Sequence, residues 1–391
     1  MGFFDIHLPL KNKIMKKQLL SIGVALSGII AHLFAQPYSI GHKQITFVDA
    51  SRSNRNIQTE VYYPANTAGD NVPMSTGQFP VIIFGHGFVM SWDAYQCFWD
   101  SLVPLGYIMA FPRTEGSISP NHSEFGKDLK FLNEQFKVEN TTPSSFFYQK
   151  VSATSAIMGH SMGGGSSFLA AANYTNFTTL VNFAAANTNP SSISAATNVT
   201  RPLLMFIGQN DGVAPPNNHQ IPMFDSCASW CKTRVTITGG GHCYFANNNF
   251  NCSFGEGTTS PQPTITRAEQ QRRVFYLLKP YLNYMLKGSL ADSITYFSRL
   301  QNTSEYTYVR QCNVVTDVKQ NNLDKVPMFF PNPVKSVFSI NKDAYVKVSN
   351  MMGMTVYEGN VKANDMINAE NWEAGVYLIT INGSVFKLLK E

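Results

Sequence analysis

Gly159-His160-Ser161-Met162-Gly163-Gly164-Gly165 constrains this 391-residue chain more than any other stretch. Apolar Ala156-Ile157-Met158 precedes it, and mostly small residues follow it up to Ala172. That is the composition of a buried strand turning abruptly into a helix. Small side chains on both sides of a serine let the backbone reverse within a few residues. Such a turn leaves Ser161 Oγ exposed at the helix N-terminus, so Ser161 is the candidate nucleophile. A serine hydroxyl attacks only when a base takes its proton. The rest of the chain must therefore supply an imidazole, and a carboxylate to orient it.

The surrounding pattern fits that demand. Phe79-Pro-Val-Ile-Ile-Phe-Gly85 is a continuous apolar run, of the kind buried on both faces of a parallel sheet. Trp92 to Leu102 predicts a helix and Tyr107 to Phe111 a second strand. His122 to Phe136 carries Phe125, Leu129, Leu132 and Phe136 at helical spacing. A strand ending at Met158, a helix from Ser161 to Ala172, a strand from Pro202 to Ile207 and a helix from Arg267 to Leu286 follow. Repeated strand–helix units with short connections predict an α/β domain with a mostly parallel, doubly wound sheet.

Of the eight histidines, His242 lies in Gly239-Gly240-Gly241-His242, a flexible loop after the apolar strand Val235 to Ile237. It is the candidate base. His160 adjoins Ser161 but points away from Oγ at a tight turn, which suits it to bracing that turn. Asp211, in the turn Gly208-Gln-Asn-Asp-Gly212 after a strand, is the candidate carboxylate, with Asp225 and Glu256 as rivals. The order Ser161, Asp211, His242 is that of the α/β-hydrolases. In that fold an N–H from the loop Gly85-His86-Gly87-Phe88 and the N–H after the nucleophile form an oxyanion hole, which assigns Phe88 and Met162.

Further motifs carry a closer resemblance. Gly159 to Gly165, Val213-Ala214-Pro215, Ile221-Pro222, Glu60-Val-Tyr-Tyr-Pro64 and Phe79-Pro80 resemble the bacterial cutinases, lidless polyester-cleaving esterases related to dienelactone hydrolases. The resemblance runs patchily from about residue 57 to 290. It implies hydrolysis of cutin-type or synthetic polyesters by a secreted serine esterase without a cofactor. Phe88, Trp92 and Tyr244 are the candidate substrate contacts. The family's substrate-stacking tryptophan has no counterpart in the Ala-rich stretch Phe183 to Asn187, and the loop after His242 is expanded up to Thr259. A small-ester esterase or lipase is the alternative within the class. A non-catalytic surface-binding protein is the alternative outside it.

The two ends read as addresses. Met15-Lys16-Lys17 before the apolar run Leu19 to Leu33, ending Leu33-Phe34-Ala35-Gln36, predicts a signal peptide over 1–35 with cleavage after Ala35. The run is shorter than the roughly 18–20 apolar residues a membrane span needs, and Ser21, Ser27 and His32 interrupt it. The catalytic domain is expected over 36–320. From 321 to 391 strand-like alternation punctuated by Gly353, Gly359, Gly375 and Gly383 predicts a small all-β module. Phe330-Pro-Asn-Pro333, Val356-Tyr357, Ala374-Gly-Val-Tyr-Leu378 and Lys387 with Lys390 resemble the C-terminal sorting domain of the type IX secretion route. That resemblance implies the secretion machinery as partner, and release outside the cell or at its surface.

Composition narrows the partners. Hydrophobic residues at 44% against 14% charged exclude a disordered chain. Three units of the net charge of +5 lie in the first 35 residues, and beyond residue 17 no basic run exceeds Arg272-Arg273. Nucleic acid is therefore excluded as a partner, and a monomer is expected. All six cysteines follow the leader, and an even count in an exported chain predicts disulfides. The pairs expected are Cys243–Cys252, Cys227–Cys231 and Cys97–Cys312. A zinc site from Cys227, Cys231, His242 and Cys243 is disfavoured, because adjacent His242 and Cys243 do not readily face one ion.

Overall fold

The computed structural model describes residues 37–301, 304–312 and 329–391. Two compact units divide the chain, Met1–Val314 and Val315–Glu391. The expected signal peptide, and the expected boundary between residues 320 and 321, lie outside the described residues. Among the described residues no helix is long and apolar enough to cross a membrane.

The first unit is built on a ten-stranded sheet. Its strands are β1 (Ser39–Asp49), β2 (Arg55–Ala65), β3 (Gly69–Asp70), β4 (Phe79–Gly85), β5 (Ile108–Pro112), β6 (Val151–His160), β7 (Thr179–Phe183), β8 (Leu203–Gly208), β9 (Cys231–Ile237) and β10 (Tyr306–Cys312). They stand in the order β10-β9-β8-β7-β6-β4-β5-β2-β1-β3. From β5 across to β9 every neighbouring pair is parallel, while β2 and β10 join antiparallel at either side. Among the described residues eight α-helices surround it: α1 (Gln96–Leu102), α2 (His122–Thr141), α3 (Met162–Ala171), α4 (Ser192–Ala196), α5 (Gln220–Ser226), α6 (Phe250–Gly257), α7 (Arg267–Lys287) and α8 (Leu290–Gln301).

Burial on both faces explains why the central strands are continuously apolar. In β4 all seven residues are buried. Val81 and Ile83 join Leu129 of α2 and Phe168 of α3 on one face, while Ile82 and Phe84 join Phe98 of α1 and Leu277 of α7 on the other. A strand alternates its side chains between faces, so only helices on both sides bury such a run. This is the doubly wound α/β arrangement the sequence predicts. Ligands in such sheets bind beyond the carboxyl ends of the parallel strands, and Phe88, Ser161, Asp211 and His242 all follow those ends.

The second unit is all-β. Strands β11 (Phe329–Phe330), β12 (Val337–Ile340) and β15 (Met366–Asn368) form one antiparallel sheet. Strands β13 (Ala344–Asn350), β14 (Thr355–Val361), β16 (Gly375–Ile381) and β17 (Ser384–Lys390) form the other. Phe338, Ile340 and Ile367 of the first share one core with Val346, Val348, Ile379 and Ile381 of the second.

Two of the three expected disulfide pairs are corrected. Cys231 is bonded to Cys312, not to Cys227. Strand β10 lies antiparallel to β9 with Cys312 directly opposite Cys231, so the cross-strand partner captures the thiol. Cys97 and Cys227 are free. Cys97 sits on α1 with its Sγ toward the carbonyl of Phe245, and Cys227 is buried beneath the carbonyl of Val199. Cys243 is bonded to Cys252.

Candidate active site

The turn after β6 owes its shape to its glycines. A Cβ on Gly163 would stand 2.1 Å from the carbonyl oxygen of Gly85, and one on Gly159 would stand 2.3 Å from that of Gly163. No side chain fits at either position, so strand, turn and helix pack backbone against backbone. Ser161 itself carries φ 53° and ψ −119°, a backbone conformation that costs of order 1–3 kcal/mol. Its N–H donates to Phe183 and its carbonyl accepts from Gly165 and Ala186, which hold the turn in place.

Three side chains from three strand ends meet there. Ser161 Oγ lies 2.9 Å from His242 Nε2, and His242 Nδ1 lies 2.8 Å from Asp211 Oδ2. All three residues are buried. Asp211 Oδ1 also accepts from the N–H groups of Val213 and Ala214, at 3.0 and 2.7 Å. Those bonds leave Oδ2 aimed at the ring. A buried carboxylate at Nδ1 keeps the proton on that nitrogen, so Nε2 presents its lone pair to the serine hydroxyl.

The loop carrying His242 differs from the flexible segment its glycines suggest. The buried side chain of Gln270 donates to the Gly241 carbonyl and accepts its N–H. Glu256 Oε1 accepts the N–H groups of His242 and Cys243, at 2.6 and 3.1 Å. Burial pushes the Glu256 carboxyl above the usual range, and those two N–H bonds work against the rise. The Arg267 guanidinium donates to the carbonyls of Cys243 and Ala246. The sequence marks Glu256 only as a rival to Asp211; the fold instead turns it onto the backbone of the base loop. Asp225, the other rival, is exposed on α5. The remaining described histidines of this face are engaged elsewhere: His86 with the carbonyls of Gly87 and Thr114, His122 with the N–H of Asn189, and His219 with the N–H of Asn187.

A cleft of about 300 Å³ opens over Ser161. Phe88, Met90, Val213, Asn251 and Phe254 line it together with His242, and no lining residue is charged. Phe88 and Phe254 are 50% and 68% exposed, which leaves apolar surface facing solvent in the cleft. Trp92 and Tyr244 are not among the lining residues. The Trp92 ring carries the Arg113 guanidinium and its Nε1–H donates to Tyr62, while Tyr244 lies under Arg267. The aromatic side chain that sequence reasoning missed is Phe254, because it sits in the expanded His loop. Met162 opens α3, so its N–H is one of those a helix start leaves unpaired.

A family model described as PET hydrolase-like matches residues 35–257, more than half of the chain. The chain belongs to the PET hydrolase-like family. A second model, a secretion system C-terminal sorting domain, matches residues 328–390. None of the curated proteins compared matches the chain. The PET hydrolase-like chain is thus an ester hydrolase with an α/β fold, carrying a type IX sorting domain that directs it out of the cell or onto the cell surface.

The disulfide of this PET hydrolase-like chain gives a first prediction. Cys243 follows the candidate base directly, and Cys252 lies on α6, the helix that carries Glu256. Closing that short loop stabilises by about 2.5–3 kcal/mol in the chain-entropy model. Cys252→Ser is expected to lower the unfolding midpoint by about 5 °C and turnover by a few-fold, read by calorimetry and a soluble-ester assay. Unchanged values for both would exclude a role for the bond in holding the loop.

Proposed function

We propose that the protein is a secreted serine esterase acting on aromatic polyesters, with Ser161 as nucleophile, His242 as base and Asp211 as its orienting carboxylate. The domain performing this spans residues 36–320, behind a leader over 1–35 and ahead of the sorting module over 321–391. The observation that carries the reading is the continuous hydrogen-bonded line from Ser161 Oγ through His242 to Asp211, beneath an uncharged aromatic cleft.

The chemistry follows from that line. Ser161 Oγ attacks the ester carbonyl carbon as its proton moves to His242 Nε2, and Asp211 offsets the charge on the imidazolium. The carbonyl oxygen becomes an oxyanion, held by the N–H groups of Phe88 and Met162. Each such donor lowers the barrier by roughly 3–4 kcal/mol. The oxyanion collapses, the C–O bond to the alcohol breaks, and His242 returns the proton to the departing alkoxide. Water then attacks the acyl-enzyme by the same route, giving the acid and restoring Ser161 Oγ–H. No step calls for a metal or cofactor.

Substrate choice rests on the cleft walls. An uncharged lining disfavours ionic substrates, since buried charge needs a partner. Two exposed phenylalanines suit a planar ring, and aromatic pairs add about 0.5–1.5 kcal/mol beyond the area they bury. The test is product analysis after incubation with an aromatic polyester film, a triglyceride and a short-chain chromogenic ester. Aromatic acid released from the film in preference to fatty acid from the triglyceride is the expected result. Phe254→Ala is expected to reduce film product about tenfold, equivalent to about 1.4 kcal/mol. Fatty acid without film product would establish a lipase instead, and no ester turnover would favour a surface-binding protein.

A further inference from the structure

We infer that Tyr95 and His160 form a buried bridge that sets the oxyanion loop and the base loop in one register, which makes both positioning residues for the proposed reaction. The inference rests on the reading of Ser161 and His242 given above. Both bridge residues are fully buried. The N–H of Gly87 donates to Tyr95 Oη at 2.7 Å, Tyr95 Oη lies 2.9 Å from His160 Nδ1, and His160 Nε2 lies 3.0 Å from the carbonyl oxygen of His242. One end of this line is therefore the backbone beside Phe88, and the other is the backbone of the base.

The direction of each bond follows from which atoms accept. A carbonyl oxygen only accepts, so His160 Nε2 carries a proton and donates it to His242. Burial, and then the neighbouring His242 ring, hold the His160 imidazole well below its usual range, so it stays neutral. Nδ1 is then bare and accepts from the Tyr95 hydroxyl. Met90 Sδ, 3.4 Å from that hydroxyl, is the weaker acceptor. The Tyr95 oxygen in turn receives the Gly87 N–H, and every polar atom of the line is paired. Gly87 has no room for a side chain: a Cβ there would meet Met90 Sδ at 2.7 Å, Tyr95 Oη at 3.1 Å and His160 Nδ1 at 3.3 Å, so the bridge packs directly against the loop backbone.

A neutral ring, 5.0 Å from the His242 ring, does not compete for the proton that Ser161 releases. It fixes where that proton acceptor sits relative to the oxyanion loop that carries the Phe88 N–H. Displacements well under 1 Å at such donors are enough to lower kcat, because they act only as charge develops on the carbonyl oxygen. The prediction is a loss in kcat with little change in KM.

The test compares Tyr95→Phe, His160→Phe, the double variant and His160→Gln, assayed on a soluble chromogenic ester and by rate of fluorophosphonate labelling. Glutamine presents one acceptor and one donor at a spacing close to that of the two ring nitrogens. Tyr95→Phe and His160→Phe are each expected to lower kcat about tenfold with KM unchanged. The double variant is expected to lose no more than the worse single variant, because either change breaks the same line. His160→Gln is expected to recover to within about threefold of the parent. Multiplying losses in the double variant, no recovery with glutamine, or parental kcat in both single variants would overturn the bridge. Labelling of the parent at a residue other than Ser161 would instead overturn the reading on which the bridge rests.

Discussion

Ser161→Ala is expected to lower kcat by about 10⁶-fold on any ester the enzyme accepts, the scale seen when the nucleophile of a serine triad is removed. What remains is the roughly 10³–10⁴-fold acceleration that binding and the backbone donors supply without covalent chemistry. The fold should survive, because the Oγ makes one hydrogen bond, to His242 Nε2, and a net loss of about 1 kcal/mol is small against domain stability. Alanine also keeps the small side chain that the glycine-packed turn requires. The measurement is single-turnover hydrolysis of a chromogenic ester beside a thermal melt. Turnover within tenfold of the parent, with an unchanged melt, would remove Ser161 from the mechanism.

Asp211→Asn is expected to lower kcat by about 10⁴-fold, and it tests a different link. Asparagine is nearly isosteric, so its Oδ1 can still accept from Val213 and Ala214. The atom facing His242 Nδ1 then becomes an amide N–H₂, a donor where an acceptor stood. Donor facing donor drives the proton from Nδ1 to Nε2, and the ring turns an N–H toward Ser161 instead of a lone pair. The serine proton then has nowhere to go. Steady-state kinetics on a soluble ester reads the effect. A loss below tenfold would pass the orienting role to another carboxylate, for which Glu256, bonded to the His242 N–H from α6, is the candidate.

The difference between the two carboxylates illustrates what was legible in the sequence. The place of Asp211 beside His242 was legible because it follows the end of parallel strand β8, where the chain emerges at the edge that binds ligands. The strands themselves were legible because burial on both faces forces continuous apolar runs such as Phe79 to Gly85. Glu256 could not be read, since its role depends on where the tip of α6 returns after the expanded loop. Strand β10 was missed for a related reason. Five of its seven residues are exposed, so it carries no apolar run, and with it the partner of Cys231 was hidden. Pairing Cys97 with Cys312 failed because spacing along the chain says nothing about which strand lies opposite.

The cleft followed the same rule. Phe88 was legible from the loop after β4. Phe254 was not, because an exposed phenylalanine in an Asn/Gly-rich stretch has no periodicity to mark it, and Trp92 and Tyr244 are large aromatics that cations cover instead. His160 was read as a brace from its neighbour alone. Its partners, Tyr95 and the His242 carbonyl, are 65 and 82 residues away, and only the fold brings them together.

Covalent capture tests the central claim most directly. A fluorophosphonate should inactivate the secreted protein stoichiometrically, and peptide mass mapping should place a single adduct on Ser161. Asp211→Asn should slow that capture without moving it. An adduct on any other residue, or full ester turnover by a protein that resists the reagent, would contradict the account.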